Sequence, residues 1–178
     1  MSAIVTIFGS SRPLPESEEY KIAQETGRLL ASAGFAVCNG GYGGTMEAAA
    51  RGARDAGGHT IGVTSGVFSR KANKWIEEEI TTDTMVERLL KLVELGEGYV
   101  ILRGGTGTLL ELAAVWEFVN KGMMKTKPIM VVGEFWDPVI GALKDELIWE
   151  GSGDCTSHIR QVATPRECVE ELKERLPL

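Results

Sequence analysis

One segment of the sequence has the residue types that bind phosphate. The run Gly104-Gly105-Thr106-Gly107-Thr108 follows a short apolar stretch and precedes a helical pattern. Glycines in such a place permit close approach of a ligand, and successive backbone N–H groups at the start of a helix form a concave anion site. The two threonine hydroxyls would add donors. The same glycines could instead do no more than turn a tight corner between a strand and a helix.

Two charged residues could do chemistry beside this segment. Glu111 follows Thr108 by three residues, so it would lie on the first helical turn, where it could orient water or stabilise positive charge. Thr108 and Glu111 also have the spacing of a capping box, in which Glu111 would only accept a backbone N–H. Arg88 lies among apolar residues, and its guanidinium could face a phosphate or Glu111, or it could be solvated at the surface.

Two further glycine-rich segments each follow a predicted strand. Ligands of open parallel sheets collect outside the carboxyl ends of the strands, near the switch point of the strand order. Three such loops at one edge therefore favour a ligand site over three plain turns. The dinucleotide fingerprint and the P-loop are both unmatched, because the sixth-position glycine or alanine and the P-loop lysine are missing. The candidate binding residues of these two segments are Gly9, Ser10, Gly40, Gly41, Gly43, Gly44 and Thr45.

Short apolar runs that alternate with helical segments are typical of βαβ units. They predict an α/β fold, a Rossmann-like doubly wound parallel sheet in a single three-layer domain over residues 1–178. We expect five or six strands, near Ile4–Phe8, Phe35–Cys38, Thr60–Thr64, Tyr99–Leu102, Ile129–Val132 and His158–Ala163. We expect helices at Glu16–Ala33, Thr45–Ala56, Thr84–Leu95, Thr108–Lys121, Pro138–Glu150 and from Thr164 to about Leu176.

Composition excludes several classes of partner. The net charge of −6 comes without a basic block, so we expect no nucleic acid partner, although a small phosphorylated molecule could still enter a local pocket. No segment has the pattern of a signal peptide or the length to cross a bilayer, which predicts a cytoplasmic protein and no membrane partner. The three cysteines and two histidines are widely spaced, so we expect neither a disulfide framework nor a metal site.

The combined spacing of these motifs resembles a known family. Arg88, fifteen intervening residues and the run from Gly104 to Glu111 resemble the Arg plus PGGxGTxxE signature of the "lonely guy" (LOG) family, long labelled lysine decarboxylase-like. The likeness spans about residues 3 to 135. It implies a Rossmann-like homodimer or higher homo-oligomer, in a family whose better-known members hydrolyse the N-glycosidic bond of cytokinin nucleoside 5′-monophosphates and release base and ribose 5-phosphate. It also implies catalytic roles for Arg88 and Glu111.

Three positions depart from the family pattern. Arg103 replaces the proline of the motif, Leu89 replaces a lysine, and Thr45-Met46-Glu47 replaces Leu-Met-Gly. The second glycine segment, residues 40–47, is more similar to that of another branch of the same superfamily, and this branch includes molybdenum-cofactor carrier proteins. Two functions therefore stay open, a nucleoside-monophosphate phosphoribohydrolase and a non-catalytic carrier of a nucleotide or of molybdopterin. No lysine has the context of a Schiff base, so we expect no pyridoxal phosphate and no other cofactor.

Overall fold

Parallel strands form the central sheet in the computed structural model, which describes residues 2–68 and 70–176. Met1, Ser69, Pro177 and Leu178 of the predicted domain lie outside the described residues. Within those residues the sheet has seven strands in the order β4-β3-β2-β1-β5-β6-β7. The strands are β1 (Ile4–Phe8), β2 (Ala36–Asn39), β3 (Thr60–Ser65), β4 (Glu78–Thr82), β5 (Gly98–Ile101), β6 (Ile129–Val132) and β7 (Ile159–Val162).

Helices cover both faces of this sheet, as the continuously apolar strands predict. Buried side chains of α1, α2 and α6 form one core layer with the sheet, and those of α3, α4 and α5 form the other. The predicted Rossmann-like three-layer α/β fold is therefore confirmed. The helices are α1 (Glu18–Ser32), α2 (Thr45–Asp55), α3 (Met85–Leu95), α4 (Thr106–Asn120), α5 (Asp137–Trp149) and α6 (Pro165–Arg175), with 3₁₀ turns at Gly66–Phe68 and Cys155–His158.

The strand count differs from the prediction because β4 is polar. This strand pairs with β3 at the edge of the sheet. It has the sequence Glu-Glu-Ile-Thr-Thr, of which three residues are exposed and two are half-buried. An edge strand of this kind lacks the apolar run by which buried strands are found, and its charges discourage pairing with another chain. The expectation of five or six strands was therefore wrong.

The strand order reverses between β1 and β5, which makes the gap between them the switch point of the sheet. Helices α1 and α2 approach closely beside it, since a Cβ on Gly27 would lie 2.0 Å from the Ala49 oxygen and one on Gly52 would lie 1.9 Å from the Gln24 oxygen. This close packing holds α1 and α2 together on one face of the sheet. No helix within 2–68 and 70–176 has the length and apolar character that crossing a membrane requires.

Candidate functional site

Three loops meet at the carboxyl edge of the sheet: the first loop (residues 9–12), the second loop (39–45) and the third loop (103–108). The Thr45 backbone N–H and Oγ1 both donate to the Ser10 oxygen, at 2.8 and 3.0 Å. Gly44 has a φ of +67°, and a Cβ there would lie 2.3 Å from the same oxygen. A Cβ on Gly9 would lie 2.4 Å from Thr45 Oγ1. Glycine is therefore required where the first and second loops join.

Helix α4 begins at Thr106, two residues before the predicted start, with Gly105 as its N-cap and no side-chain cap. The first N–H groups of a helix have no intrahelical acceptor, so those at the start of α4 can donate to a group outside the helix. Thr108 is buried in the first turn, and Glu111 lies in the second turn. The capping-box interpretation of Glu111 is therefore wrong, because Thr108 is not the N-cap.

The glycines of the third loop have different reasons to be glycine. A Cβ on Gly104 would lie 2.1 Å from Thr108 Oγ1, so the packing of the loop excludes a side chain there. A Cβ on Gly105 or Gly107 would meet no atom within 4 Å, and neither residue has a positive φ. The fold itself does not require glycine at these two positions. Their lack of side chains leaves the N-terminus of α4 open to an approaching group.

Arg88 is buried, with 7% of its surface exposed. Its Nε donates to the Val63 oxygen at 2.8 Å, and its Nη2 donates to the Gly40 oxygen at 3.1 Å. Its Nη1 lies 3.9 Å from Glu111 Oε1. A Cβ on Gly40 would lie 1.7 Å from Nη2, so the second loop needs glycine there to admit the guanidinium. The surface interpretation of Arg88 is therefore wrong, and its pairing with Glu111 is confirmed.

The Glu111 carboxyl is poised to exchange a proton near neutral pH. Its side chain is 15% exposed. Burial raises the pKa of Glu111 to about 7, while the charge of Arg88 acts in the opposite direction. A carboxyl group with such a pKa next to a fixed cation is a common feature of functional sites.

Arg88 and Glu111 line a cavity of about 340 Å³ at the switch point. The predicted site residues that also line it are Gly9, Ser10, Gly105, Thr106, Gly107 and Thr108. Most of the remaining ones shape the loops instead; Gly41, for example, has a φ of +76° and donates its N–H to Asn39 Oδ1 at 2.8 Å. The predicted residues that do not line the cavity are Gly40, Gly41, Gly43, Gly44, Thr45 and Gly104.

The sequence analysis missed an apolar part of the same cavity, formed by Tyr42, Met46, Phe68 and Met85. The Tyr42 hydroxyl accepts the Ser65 N–H at 2.9 Å and donates to the Ser65 oxygen at 3.3 Å. Its position within the second loop was a signal that could have identified it. Phe68 and Met85 gave no such signal, because isolated apolar residues look alike in the core and in a site.

The residues that differ from the family pattern, Thr45, Glu47, Leu89 and Arg103, do not line this cavity. Glu47 accepts a hydrogen bond from the Tyr20 hydroxyl at 3.4 Å, and Leu89 packs against the core. Arg103 donates to Glu19 at 3.1 Å, and its guanidinium carbon lies 4.9 Å from the centroid of the Phe135 ring. None of them contributes to the surface that holds Arg88 and Glu111. In the part of the chain that the structure describes, no cluster of three His, Cys, Asp or Glu residues could hold a metal ion.

Comparison with known proteins agrees with this architecture. Residues 2–168 match the model of the SLOG cluster4 family. A relative named cytokinin riboside 5′-monophosphate phosphoribohydrolase, from Mycobacterium tuberculosis, is 35% identical over 72% of this chain and 69% of its own length. The rice protein of the same name with the suffix LOG is 31% identical over 87% of this chain and 66% of its own length.

A solved structure shares the fold along nearly the whole chain. The molybdenum cofactor binding protein from Rippkaea orientalis superposes with a TM-score of 0.76 and 24% identity, over 98% of this chain and 97% of that one. At this identity the likeness concerns the fold alone. The family match over residues 2–168 is independent of it and confirms the resemblance to the LOG family. The chain belongs to the SLOG cluster4 family.

Proposed function

We propose that this protein hydrolyses the N-glycosidic bond of nucleoside 5′-monophosphates and releases base and ribose 5-phosphate. The observation that carries the proposal is the buried pair of Arg88 and Glu111, with 3.9 Å between Nη1 and Oε1, in a cavity that also reaches the open N-terminus of α4. The names of the relatives from Mycobacterium tuberculosis and rice support the same reaction class.

The N-terminus of α4 would hold the phosphate. Its first N–H groups have no intrahelical acceptor, and the helix dipole favours an anion there. Gly105 and Gly107 leave open space for the phosphate oxygens. The hydroxyls of Thr106 and Ser10 line the same cavity and add donors. The first and third loops would thus form the anion site.

Glu111 would act on the ribose. When the bond between C1′ and the base nitrogen breaks, its electron pair leaves with the base, and positive charge develops on the ribose ring. The Glu111 carboxylate stabilises this charge and accepts a proton from the water that adds to C1′. The charge of Arg88 lowers the Glu111 pKa and so increases the ionised fraction. The departing base takes up one proton from solvent, and Glu111 returns its proton to solvent after the reaction.

The cavity also limits the size and type of ligand. A volume of about 340 Å³ is near the lower end for small-molecule sites, which suits a mononucleotide better than a dinucleotide. The net charge of −6 favours a small phosphorylated partner over nucleic acid. We further propose that residues 1–178 form one nucleotide-binding domain, and that the protein is a cytoplasmic homodimer or higher homo-oligomer with no membrane partner and no cofactor.

The second candidate function is non-catalytic carriage of a nucleotide or of molybdopterin. Fold similarity to a molybdenum cofactor binding protein over 98% of the chain favours it. However, Glu47, the charged residue of the glycine segment that suggested that branch, does not reach the cavity. We therefore place the hydrolase first.

A hydrolase releases the base from its ligand, whereas a carrier only binds the ligand. A site that anchors phosphate should also accept nucleoside monophosphates in preference to nucleosides. Purified protein would be incubated with AMP, GMP, CMP and adenosine, and the released base would be measured by chromatography. The hydrolase predicts cleavage of at least one monophosphate and little cleavage of adenosine, because adenosine lacks the anchoring group. Binding of a monophosphate without release of base would refute the hydrolase and support the carrier.

A further inference from the structure

Arg103 is the first residue of the third loop, and it stands where the family motif has proline. It is followed by Gly104 and Gly105, the two glycines that precede α4. Proline fixes the φ angle of its own residue, whereas glycine has more backbone freedom than other residues. The start of this loop therefore has one backbone restraint fewer than the family motif provides.

The Arg103 side chain contacts two separate elements of the fold. Its Nη1 donates to Glu19 Oε1 at 3.1 Å, and Glu19 lies in the first turn of α1. Its guanidinium carbon lies 4.9 Å from the centroid of the Phe135 ring, in the segment between β6 and α5. The first contact is an ion pair and the second is a cation–π contact. The beginning of the third loop is thus attached to α1 and to the β6–α5 segment.

The β6–α5 segment also holds the residue before Arg103. Trp136 is buried, and its Nε1 donates to the Leu102 oxygen at 3.0 Å. The Leu102 N–H donates to the Phe8 oxygen at 2.9 Å. The Phe135 and Trp136 rings meet edge to face, with 5.0 Å between centroids. Because the buried Trp136 fixes this segment, Phe135 offers its ring to Arg103 from a defined position.

Arg103 can influence a bound phosphate only through the backbone of the third loop. It does not line the cavity that holds Arg88 and Glu111. Gly104 alone separates it from Gly105, the N-cap of α4. A change in the position of Arg103 is therefore passed to the N-terminus of α4 through a single residue.

We propose that Arg103, Glu19 and Phe135 form a clamp, the Arg103 clamp, which positions the third loop for the phosphate of the substrate. Its two contacts restrict the start of the loop, as the φ angle of proline does in the family motif. A loop that is already ordered loses less conformational entropy when phosphate binds, so the clamp increases the affinity for phosphorylated ligands. The proposal rests on the proposed function, which places the phosphate at the N-terminus of α4. Arg103 is a positioning residue in this account.

Two alanine variants separate the clamp from simple attraction of charges. Glu19→Ala and Glu18→Ala each remove one negative charge from the first turn of α1, and Glu19 is the carboxylate that is bonded to Arg103. Attraction by net charge would make both variants bind ribose 5-phosphate slightly more tightly than wild type. The clamp predicts instead that Glu19→Ala binds it about threefold more weakly in titration calorimetry at low salt, while Glu18→Ala does not.

Two variants of Arg103 itself separate restraint of the loop from the charge of the side chain. Arg103→Ala loses both contacts and should weaken binding of ribose 5-phosphate by about fivefold. Arg103→Pro loses the same charge and the same contacts but restricts φ, so its affinity should stay within about twofold of wild type. Circular dichroism checks that each variant folds. If Arg103→Pro is misfolded, the comparison of Glu19→Ala with Glu18→Ala carries the test.

Three results would overturn the Arg103 clamp. The first is equal affinity of Glu19→Ala and Glu18→Ala for ribose 5-phosphate. The second is equal weakening in folded Arg103→Ala and folded Arg103→Pro. The third is a wild-type protein that does not bind ribose 5-phosphate.

Failure of the clamp is distinguishable from failure of the hydrolase, because turnover of AMP is measured separately. In the hydrolase, Arg103→Ala should raise the KM for AMP and leave kcat near that of wild type, since the clamp acts on the phosphate and not on Glu111. Weaker ribose 5-phosphate binding in Glu19→Ala alone, without AMP cleavage by wild type, refutes the hydrolase and leaves the clamp supported. Cleavage of AMP together with equal affinities of Glu19→Ala and Glu18→Ala refutes the clamp alone.

Discussion

Replacing Glu111 with glutamine should change how the stability of the protein depends on pH. Glutamine has nearly the shape of glutamic acid but cannot ionise. The Glu111 carboxyl has a pKa of 4.5 when it is solvated and about 7 in the folded protein, because its side chain is only 15% exposed. Because the glutamine of the variant cannot titrate, the variant should lack the part of the pH dependence of the free energy of unfolding that Glu111 causes.

The sign and the size of the effect follow from the two pKa values. The folded state binds the Glu111 proton more tightly than the unfolded state, so protonation stabilises the fold. This stabilisation is fully present below about pH 4.5 and is lost as the pH rises through about 7. At about 1.4 kcal/mol for each pKa unit, the Glu111 contribution to the free energy of unfolding falls by roughly 2 to 3 kcal/mol between about pH 5 and about pH 8.

Urea denaturation followed by circular dichroism measures this difference. Wild type and Glu111→Gln would be compared at several pH values between 5 and 8, with Glu117→Gln as the control, because Glu117 is an exposed carboxylate on the same helix. The Glu111→Gln variant should become more stable than wild type as the pH rises, and Glu117→Gln should follow wild type. Parallel curves for wild type and Glu111→Gln would refute the reasoning that burial dominates at Glu111.

Other substitutions test the pair and the third loop. Arg88→Met removes the charge that lowers the Glu111 pKa, so the pH-dependent loss of stability should extend above pH 8, and the free energy of unfolding at pH 8 should fall by about 3 kcal/mol. Unchanged stability would contradict the buried pair. Gly104→Ala places a Cβ against Thr108 Oγ1 and should destabilise the fold by about 2 kcal/mol in urea denaturation. Gly105→Val enters open space, so it should cost at most about 1 kcal/mol yet abolish protection by phosphate or AMP against thermal unfolding. Unchanged protection would place the anion site elsewhere.

The sequence predicted the layers of the fold because buried parallel strands are continuous apolar runs. Val5, Val37 and Val100 are completely buried in central strands, and each lies in a predicted run. Strand β4 could not be found in this way, because it is held mainly by pairing with β3 and only Ile80 of its side chains packs against the core. The pattern of apolar residues therefore predicts strands that are buried. It does not predict strands that are held by hydrogen bonds to a neighbouring strand.

The candidate site was predictable only in part. Family spacing suggested a link between Arg88 and Glu111, and the structure brings them together. The capping-box interpretation was wrong because α4 already begins at Thr106, within the glycine-rich run, so Thr108 lies inside the first turn and is not the N-cap. The contact between Tyr42 and Phe68 depends on the 3₁₀ turn after β3, which joins residues that are distant in sequence. No local pattern reports such a contact.

The most direct test of the central claim is a time course of AMP cleavage by wild type, Glu111→Gln and Glu117→Gln. Adenine and ribose 5-phosphate would be quantified together by mass spectrometry. The proposed function predicts equimolar release of the two products by wild type and Glu117→Gln, and loss of both products in Glu111→Gln. Equal release by wild type and Glu111→Gln, or no release by wild type with AMP, would contradict the assignment of this cavity as a phosphoribohydrolase site for AMP.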